Sequence, residues 1–419
     1  MDSPKEFEPA SQCLGNLLSA MRAMSAIEAP PGFDGDVLFK QIDNLPYLDF
    51  ARANYYADGH SRRVFDWIQQ YRAVMSLYGS PIPIYLENSP FQADEWARLE
   101  QQAAAMAPQV LDDYPLDRID AWILEAYSLK GECEALPGDI VLDCGAYTGN
   151  TTLYFSRKVG VSGHVYGFEA ASATFEKYGR NMRGLENVTP VQAAVGNTTG
   201  KLRFAGDDAG AYIAENGENG EEVPATTLDE FCRSRNLAKV HFIKMDVEGA
   251  EHIALEGATS IIKQHRPKMA ISAYHRDFDI ISLPARILSI APYTFKLGHF
   301  SNREWETVLY CIPGDAEKTL QTPTPAPAIE PGQYKELLSL LLPLIRKALS
   351  ARRFSDSAQM RDIQITLETA RQTIEQLMEE NIALRQKLEA TYNNPKIKAC
   401  DRDKSGVYTE VNEHFGPGA

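Results

Sequence analysis

The segment Ile140-Val141-Leu142-Asp143-Cys144-Gly145-Ala146-Tyr147-Thr148-Gly149 decides the fold class of this chain. An apolar run ends near an acidic residue and a glycine-bearing turn follows, which predicts a buried strand, a tight turn and the start of a helix. Gly145 would let the backbone approach a ligand closely, and Gly149 would let the turn enter the helix. The two glycines stand four apart with Tyr147 between them, unlike the GxGxxG spacing of a dinucleotide phosphate site. We therefore predict a site for a zwitterionic amino-acid group.

From Pro137 onward, short apolar runs alternate with amphipathic stretches, which is the pattern of a sheet covered by helices on both faces. We predict an α/β fold with a doubly wound, seven-stranded sheet whose last two strands form an antiparallel closing hairpin. The predicted strands lie near 139–144, 163–169, 188–194, 240–246, 268–273, 293–299 and 305–312, and the predicted helices near 149–159, 172–183, 226–235, 251–264 and 283–290.

Two further strand ends carry acidic residues. The run Val165-Tyr166-Gly167-Phe168-Glu169 ends in a glutamate whose carboxylate can accept hydrogen bonds from both hydroxyls of a ribose. The run Phe242-Ile243-Lys244-Met245 leads into Asp246-Val247-Glu248-Gly249-Ala250-Glu251, which brings three carboxylates close together. Because ligands bind at the carboxyl ends of parallel strands, we predict a nucleoside beside Glu169 and, beside Asp246, either the reacting centre of the cofactor or the acceptor.

The run from Lys244 to Glu251, downstream of Thr227-Leu228-Asp229, resembles the signature of the FkbM-type methyltransferases. The turn from Asp143 to Gly149 and the pair Phe168-Glu169 match the same pattern. The resemblance covers about residues 138–312. It implies a Rossmann-like class I fold, S-adenosylmethionine as the methyl donor, and an acceptor hydroxyl on a small molecule or carbohydrate.

The predicted donor site lies on the turn and the neighbouring strand ends, and the hairpin is a candidate wall for the acceptor. His299 and Glu306-Thr307 would either line the acceptor pocket or pair across strands on a solvated face. The predicted cofactor contacts are Asp143, Gly145, Ala146, Tyr147, Gly149, Glu169, Ala170, Ala193 and Asp246.

The proton-accepting base does not follow from the family pattern. Where many members carry glutamate after the fifth strand, this chain reads Ile271-Ser272-Ala273-Tyr274-His275-Arg276. We predict His275 or Asp246 as the base, with Glu248 orienting the acceptor, since histidine titrates near neutral pH. A hydrogen-bonded structural role is the alternative for His275. A divalent metal held by Asp246, Glu248 and Glu251 is a further alternative, but a helical Glu251 would point away from the strand-end acids, and we assign no metal ligand.

The chain divides into five predicted regions by composition and periodicity: a mainly helical N-terminal domain at 1–125, the methyltransferase domain at 126–314, a proline-rich linker at 315–332, helices with a heptad repeat at 333–391, and a disordered tail at 392–419. The N-terminal domain would cover the acceptor pocket. Within the heptads, Asn381 at a core position favours a parallel homodimer through residues 360–388, and packing on the same chain is the alternative.

Charge and composition bear on partners and location. A net charge of −15 argues against nucleic acid and anionic lipid as partners, and so against RNA methylation. The chain has no apolar run long enough for a membrane span, and its six cysteines form no CxxC pair, which favours reduced thiols and a cytoplasmic protein. A cofactor-binding scaffold without activity and a nicotinamide-dependent oxidoreductase are the competing functions.

Overall fold

A computed structural model of the chain describes residue 16 and residues 45–78, 89–110, 113–205, 212–213 and 221–315. The strands are β1 Ile140–Cys144, β2 His164–Glu169, β3 Val188–Gln192, β4 Ala194–Val195, β5 Gly200–Ala205, β6 Tyr212–Ile213, β7 Glu221–Thr226, β8 Phe242–Met245, β9 Lys268–Ser272, β10 Tyr293–His299 and β11 Thr307–Pro313. The α-helices are α1 Leu45–Asn54, α2 Gly59–Tyr78, α3 Ala93–Ala105, α4 Pro115–Arg118, α5 Asn150–Val159, α6 Ser172–Asn181, α7 Leu228–Ser234, α8 Glu251–Glu256, α9 Thr259–His265 and α10 Asp279–Ile290, and a π-helical turn, Ile119–Ile123, continues α4.

A seven-stranded sheet in the order β10-β11-β9-β8-β1-β2-β3 forms the centre of the fold. The pairs from β9 through β3 are parallel, whereas β11 runs antiparallel to both β10 and β9. The central strands carry apolar side chains on both faces, as a sheet covered on two sides requires. The predicted doubly wound α/β sheet with an antiparallel closing hairpin is confirmed.

A second sheet, in the order β4-β7-β5-β6, was not predicted. Its strands are short and carry polar residues such as Lys201, Arg203 and Glu222, so their hydrophobic pattern is weak. The predicted strand 188–194 is divided between the two sheets, since β3 belongs to the large one and β4 to the small one.

The predicted helix 251–264 is two helices, α8 and α9, interrupted at Gly257-Ala258. The backbone of Gly257 lies so close to that of Gly196 that an added Cβ would stand 1.9 Å from the Gly196 carbonyl oxygen. Close backbone packing therefore interrupts a run whose apolar spacing alone reads as continuous.

Helices α1 and α2 share one hydrophobic core with β10 and α10. Tyr56 is fully buried, and its hydroxyl donates a 2.5 Å hydrogen bond to the carbonyl of Ile280. Pro284, four residues further along α10, has no N–H to donate to that carbonyl, so the tyrosine takes the place of a missing helical hydrogen bond. The described part of the N-terminal region thus extends the core of the central sheet.

Several predictions concern residues beyond 315. The proline-rich linker after its first residue, the C-terminal helices, the coiled coil at 360–388 and the tail lie outside the described residues. Within the part that is described, no helix is long and apolar enough to cross a membrane. Cys133, Cys144, Cys232 and Cys311 are buried free thiols there.

Candidate active site

A cleft opens at the carboxyl ends of the parallel strands, and residues 117–127 form its opposite wall. This wall belongs to the predicted N-terminal domain and its junction with the sheet. Eight of the residues predicted for the site line the cleft: Gly145, Ala146, Tyr147, Glu169, Ala170, Ala193, Asp246 and Glu248. The other three predicted residues, Asp143, Gly149 and His275, lie behind this lining.

The turn after β1 is set by Gly145, whose φ is +82°. A Cβ at this position would stand 1.7 Å from the carbonyl oxygen of Asp246, so the turn packs directly on the backbone that follows β8. The backbone N–H groups of Gly145 and Ala146 donate to the Phe168 carbonyl at 3.0 and 2.8 Å. The glycine is therefore required by contact between strand ends, which the sequence interpretation attributed to a ligand.

Gly149 precedes the first residue of α5 and has a φ of +103°. An added Cβ would meet Met182 and Tyr178, so the glycine allows α5 to begin against α6. We assign it to the geometry of the turn.

Asp143 is completely buried beneath the turn. One carboxylate oxygen accepts hydrogen bonds from the hydroxyls of Thr151 (2.9 Å) and Thr152 (2.5 Å), and the other lies 3.3 Å from Nζ of Lys244. These contacts place Asp143 behind the cleft, so we assign it to positioning the turn instead of contacting a ligand.

Lys244 belongs to the run that resembles the family signature, and its role was not predictable from the sequence. It is 2% exposed, and its ammonium donates a 2.5 Å hydrogen bond to the Gly145 carbonyl as well as pairing with Asp143. A buried charge of this kind is stable only when paired, and here the pair ties β8 to the turn after β1. The signal in the sequence was a lysine inside an otherwise apolar strand.

Glu169 lies at the end of β2 on the wall of the cleft. Its two oxygens accept hydrogen bonds from the backbone N–H groups of Tyr147 (3.1 Å) and Ala171 (2.9 Å). A carboxylate has about four acceptor positions, so both oxygens retain capacity for a diol. Burial raises the pKa of Glu169 to about 7. The residue thus fits the predicted role of holding a ribose.

Asp246 lies at the end of β8, where it also lines the cleft. The Tyr127 hydroxyl donates to its Oδ2 at 2.9 Å, and the Tyr274 hydroxyl lies 3.5 Å from its Oδ1. Burial acts to raise its pKa, but the charges of Lys244 and His275 outweigh this effect and the pKa is lowered. Asp246 is therefore a carboxylate at neutral pH.

His275 follows β9 behind the wall of the cleft. Its Nδ1 lies 2.9 Å from Oε1 of Glu251, and its Nε2 lies 3.4 Å from carboxylate oxygens of both Asp246 and Glu248. Burial acts to lower the pKa of His275, but the hydrogen bond with Glu251 and the carboxylate charges raise it to about 9. An imidazolium has no lone pair with which to take a proton, so the geometry favours Asp246 among the two predicted bases.

Glu251 is completely buried and accepts a 3.0 Å hydrogen bond from the Val247 backbone N–H besides its bond with His275. The favourable interaction of its negative charge with the dipole of α8 is therefore a small part of its role. Glu251 fixes the loop between β8 and α8 and the ring orientation of His275.

One part of the cleft is lined by several carboxyl groups. Burial raises the pKa of Glu248 to about 7, that of Glu306 to about 8 and that of Asp117 to about 6, with further increases from neighbouring carboxylates. Asp120 also lines the cleft, and burial raises its pKa well above the ordinary value. Asp117 and Asp120 were missed by sequence analysis because they stand far from the signature and lack a motif of their own.

The closing hairpin contributes one predicted residue to the wall. Glu306 lines the cleft with a φ of +64°, a conformation that is rare for residues other than glycine. His299 does not line it: the ring is buried against Trp67, and its Nδ1 lies 2.7 Å from Oγ1 of Thr307. Burial lowers the pKa of His299 to about 3. His299 and Thr307 therefore form a structural pair.

The sheet order and the cleft at its carboxyl edge, with Glu169 after β2 and Asp246 after β8, define a class I methyltransferase fold. Residues 143–297 match the model of the methyltransferase FkbM domain. This segment of the chain is an FkbM methyltransferase domain, which confirms the resemblance seen in the sequence. The match to this family argues against the alternative that the domain is a nicotinamide-dependent oxidoreductase.

Several solved structures are similar to parts of this chain. Methyltransferase FkbM from Methylobacillus flagellatus KT has 20% identity over 65% of this chain and 60% of its own length, with a TM-score of 0.45. Aeropyrum pernix fibrillarin with natively bound S-adenosyl-L-methionine has 20% identity over 45% of this chain and 74% of its own length, with a TM-score of 0.31. A putative O-methyltransferase from Klebsiella pneumoniae has 12% identity over 54% of this chain and 92% of its own length, with a TM-score of 0.27.

The match to the Methylobacillus protein thus spans less than two thirds of that protein. No curated protein sequence matches the chain.

Proposed function

We propose that this domain transfers a methyl group from S-adenosylmethionine to a hydroxyl oxygen of a small-molecule or carbohydrate acceptor. The observation that carries the proposal is one cleft in which Glu169, suited to a ribose, and Asp246, an ionised carboxylate, line the same wall. Methyl transfer requires a donor and an acceptor held in line within a single site.

The donor end of the cleft is formed by the turn after β1 and by Glu169. The carboxylate of Glu169 would accept the two ribose hydroxyls, and the backbone of Ala146 and Tyr147 would lie along the amino-acid end. When bound, S-adenosylmethionine supplies an electrophilic methyl group on a sulfonium centre. The negative charge of Asp246 would favour that cation.

We expect the affinity for S-adenosylhomocysteine to rise with pH across the range around 7, because Glu169 has a pKa of about 7 and only its ionised form accepts from both hydroxyls. Below this pKa the affinity should fall by up to about tenfold per pH unit. Isothermal titration calorimetry between pH 6 and 8 measures the effect.

Two variants sharpen that measurement. Glu169→Gln should bind about 10- to 100-fold more weakly and without the pH dependence, because hydrogen bonds to charged groups contribute about 1.5–3 kcal/mol. Glu176→Gln, at an exposed position of α6, should behave as the wild type. A pH profile unchanged by Glu169→Gln would contradict the assignment.

The acceptor end suits a molecule rich in hydroxyl groups. The carboxyl groups of Asp117, Asp120, Glu248 and Glu306 lie on its wall, where they can accept hydrogen bonds from hydroxyls and, when protonated, donate to them. Lys244, the one basic residue on the described wall, is occupied by Asp143 and the Gly145 carbonyl. A phosphorylated acceptor or a nucleic acid would therefore find no free basic side chain on this wall.

Asp246 is the residue that we propose to take the acceptor's proton, with Glu248 orienting the acceptor. A weak base is sufficient, because the acceptor oxygen becomes strongly acidic as it gains the methyl group. Tyr127 and His275 contact opposite oxygens of the Asp246 carboxylate and hold it at the cleft. Proton transfer of this kind typically contributes about 10²- to 10⁴-fold to the rate.

The experiment that tests the proposal supplies the full chain with methyl-tritiated S-adenosylmethionine and a panel of hydroxylated acceptors, including mono- and oligosaccharides. We expect the label in an alkali-stable methyl ether, and loss of labelling when the acceptor lacks the reacting hydroxyl. Label found in amines, carboxyl esters or RNA would overturn it. Donor binding without turnover of any acceptor would favour the scaffold alternative.

Our proposal includes a cytoplasmic location and a homodimer through residues 360–388. The cysteine distribution supports the first and the heptad spacing supports the second. Removal of residues after 330 should then lower the particle mass measured by light scattering from that of a full-length dimer to that of a truncated monomer.

A further inference from the structure

A compact group of potential metal ligands begins on the wall of the cleft at Asp246 and extends behind it to His275 and Glu251. Asp246, Glu251 and His275 each offer one potential donor atom, and these three atoms lie within 4.8 Å of one another. Glu248 adds a carboxylate oxygen 3.4 Å from Nε2 of His275. Three different elements contribute, since these residues follow β8, begin α8 and follow β9.

Two atoms of this group are buried without a hydrogen bond from the described residues. The His275 side chain is 9% exposed, and its Nε2 makes no hydrogen bond although it points between two carboxylates. The Glu251 side chain is 1% exposed, and its Oε2 likewise lacks a hydrogen-bond partner. Buried polar atoms normally have partners, and their absence at two neighbouring side chains indicates a missing ligand.

The distances at Nε2 suit a shared ion. Nε2 lies 3.4 Å from Oδ1 of Asp246 and 3.4 Å from Oε2 of Glu248. Donors this far apart, each about 2.1 Å from an ion, subtend an angle of about 110° at that ion, which is close to tetrahedral. Each of the two carboxylates is thus within reach of an ion bound to Nε2 of His275.

The other ring nitrogen has the contact that metal-binding histidines usually make. Nδ1 of His275 lies 2.9 Å from Oε1 of Glu251, so Nδ1–H can donate to that carboxylate while Nε2 faces Asp246 and Glu248. Such a carboxylate fixes the tautomer and orientation of a metal-binding histidine. Glu251 is itself held by the Val247 backbone N–H.

We propose that Nε2 of His275, Oδ1 of Asp246 and Oε2 of Glu248 bind a divalent first-row transition metal ion, with Glu251 orienting His275. One imidazole and two carboxylates favour Mn²⁺, Fe²⁺, Co²⁺ or Zn²⁺ over Mg²⁺ and Ca²⁺, which prefer oxygen ligands alone. The ion replaces the Nε2 proton, so the total positive charge facing the two carboxylates increases.

The site has a direct relation to the cleft. Asp246 and Glu248 line it, and Oδ2 of Asp246, on the Tyr127 side, stays available when Oδ1 binds the ion. A three-ligand site leaves positions open for an acceptor oxygen, whose hydroxyl pKa the ion lowers. This role rests on the proposed function, whereas metal binding itself does not.

The test titrates Co²⁺ into the full chain after removal of metals with a chelator, and follows the visible d–d absorption. We expect one equivalent to bind with an intense, low-symmetry spectrum. His275→Ala should lose this spectrum, and Glu251→Gln should weaken Co²⁺ binding about 10- to 100-fold. His252→Ala is the matched control, since His252 is a half-buried histidine of α8 whose ring contacts Ser282 and Asp279, neither of which is a proposed ligand.

Binding of S-adenosylhomocysteine reports whether each variant is folded. If His275→Ala does not fold, Glu251→Gln, which preserves the shape of the side chain, is used to test the metal site. Equal Co²⁺ binding by wild type, His275→Ala and Glu251→Gln overturns the proposal, as does a wild-type spectrum like that of hydrated Co²⁺. Methyl transfer is measured separately with and without Mn²⁺. Tight Co²⁺ binding without transfer to hydroxyl acceptors would refute the proposed function and leave the metal site standing.

Discussion

Gly145→Ala is expected to abolish binding of S-adenosylhomocysteine and to destabilise the domain by about 2 to 5 kcal/mol. The residue has a φ of +82°, which costs an alanine about 1–2 kcal/mol. In addition, its Cβ would stand 1.7 Å from the Asp246 carbonyl oxygen, so the turn after β1 and the end of β8 must separate. Both segments line the cleft, so their separation would change its shape.

Gly184→Ala is the matched control for this prediction. Gly184 has a φ of +87°, and an added Cβ would have nothing within 4 Å. The free energy of unfolding of Gly184→Ala should therefore fall only by the cost of the backbone conformation, and the variant should keep its affinity for S-adenosylhomocysteine. Chemical denaturation and calorimetry on both variants separate backbone strain from the contact with Asp246. Equal behaviour of the two variants would show that the close approach has no effect.

Asp246→Asn is expected to reduce methyl transfer by about 10²- to 10⁴-fold, the usual contribution of a positioned proton acceptor. Asparagine keeps the shape of the side chain and can still meet the Tyr127 hydroxyl, but it has no negative charge. Since S-adenosylhomocysteine has no sulfonium charge, its affinity should change little. The combination of a large fall in kcat with nearly unchanged product affinity distinguishes a chemical role from a structural one.

Asp139→Asn provides the comparison for that variant. Asp139 precedes β1 at the opposite end of the strand, where its carboxylate accepts a hydrogen bond from the Leu136 backbone N–H. This change should leave turnover as in the wild type. Turnover by folded Asp246→Asn within tenfold of the wild type would remove Asp246 from the proton-transfer step.

The sheet was predictable because its determinants are local. Each central strand is a short apolar run that ends in a turn or an acidic residue, as at Asp143, Glu169 and Asp246. Parallel strands bring their carboxyl ends to one edge, so the sequence alone implied that Glu169 and Asp246 would lie at the same edge of the sheet. The small second sheet escaped prediction because the apolar signal of its strands is weak.

The residues behind the cleft depended on distances between segments remote in sequence. Lys244 reaches Asp143 and the turn after β1, and Tyr127 reaches Asp246 from the segment before the sheet. No spacing rule predicts such contacts, because they arise where separate loops converge. The same limit applies to Glu251, which contacts His275 although the two residues stand 24 positions apart in the chain.

The sequence by itself determined the fold class, the family of the domain and the edge of the sheet where ligands bind, since these follow from apolar periodicity and from acids at strand ends. Only the tertiary structure decided which carboxylates are paired, which face the cleft and which histidine is a cation. The physical reason is that charge state and ligand geometry depend on burial and on partners within a few ångströms, and for His275 those partners lie 24 to 29 residues away along the chain.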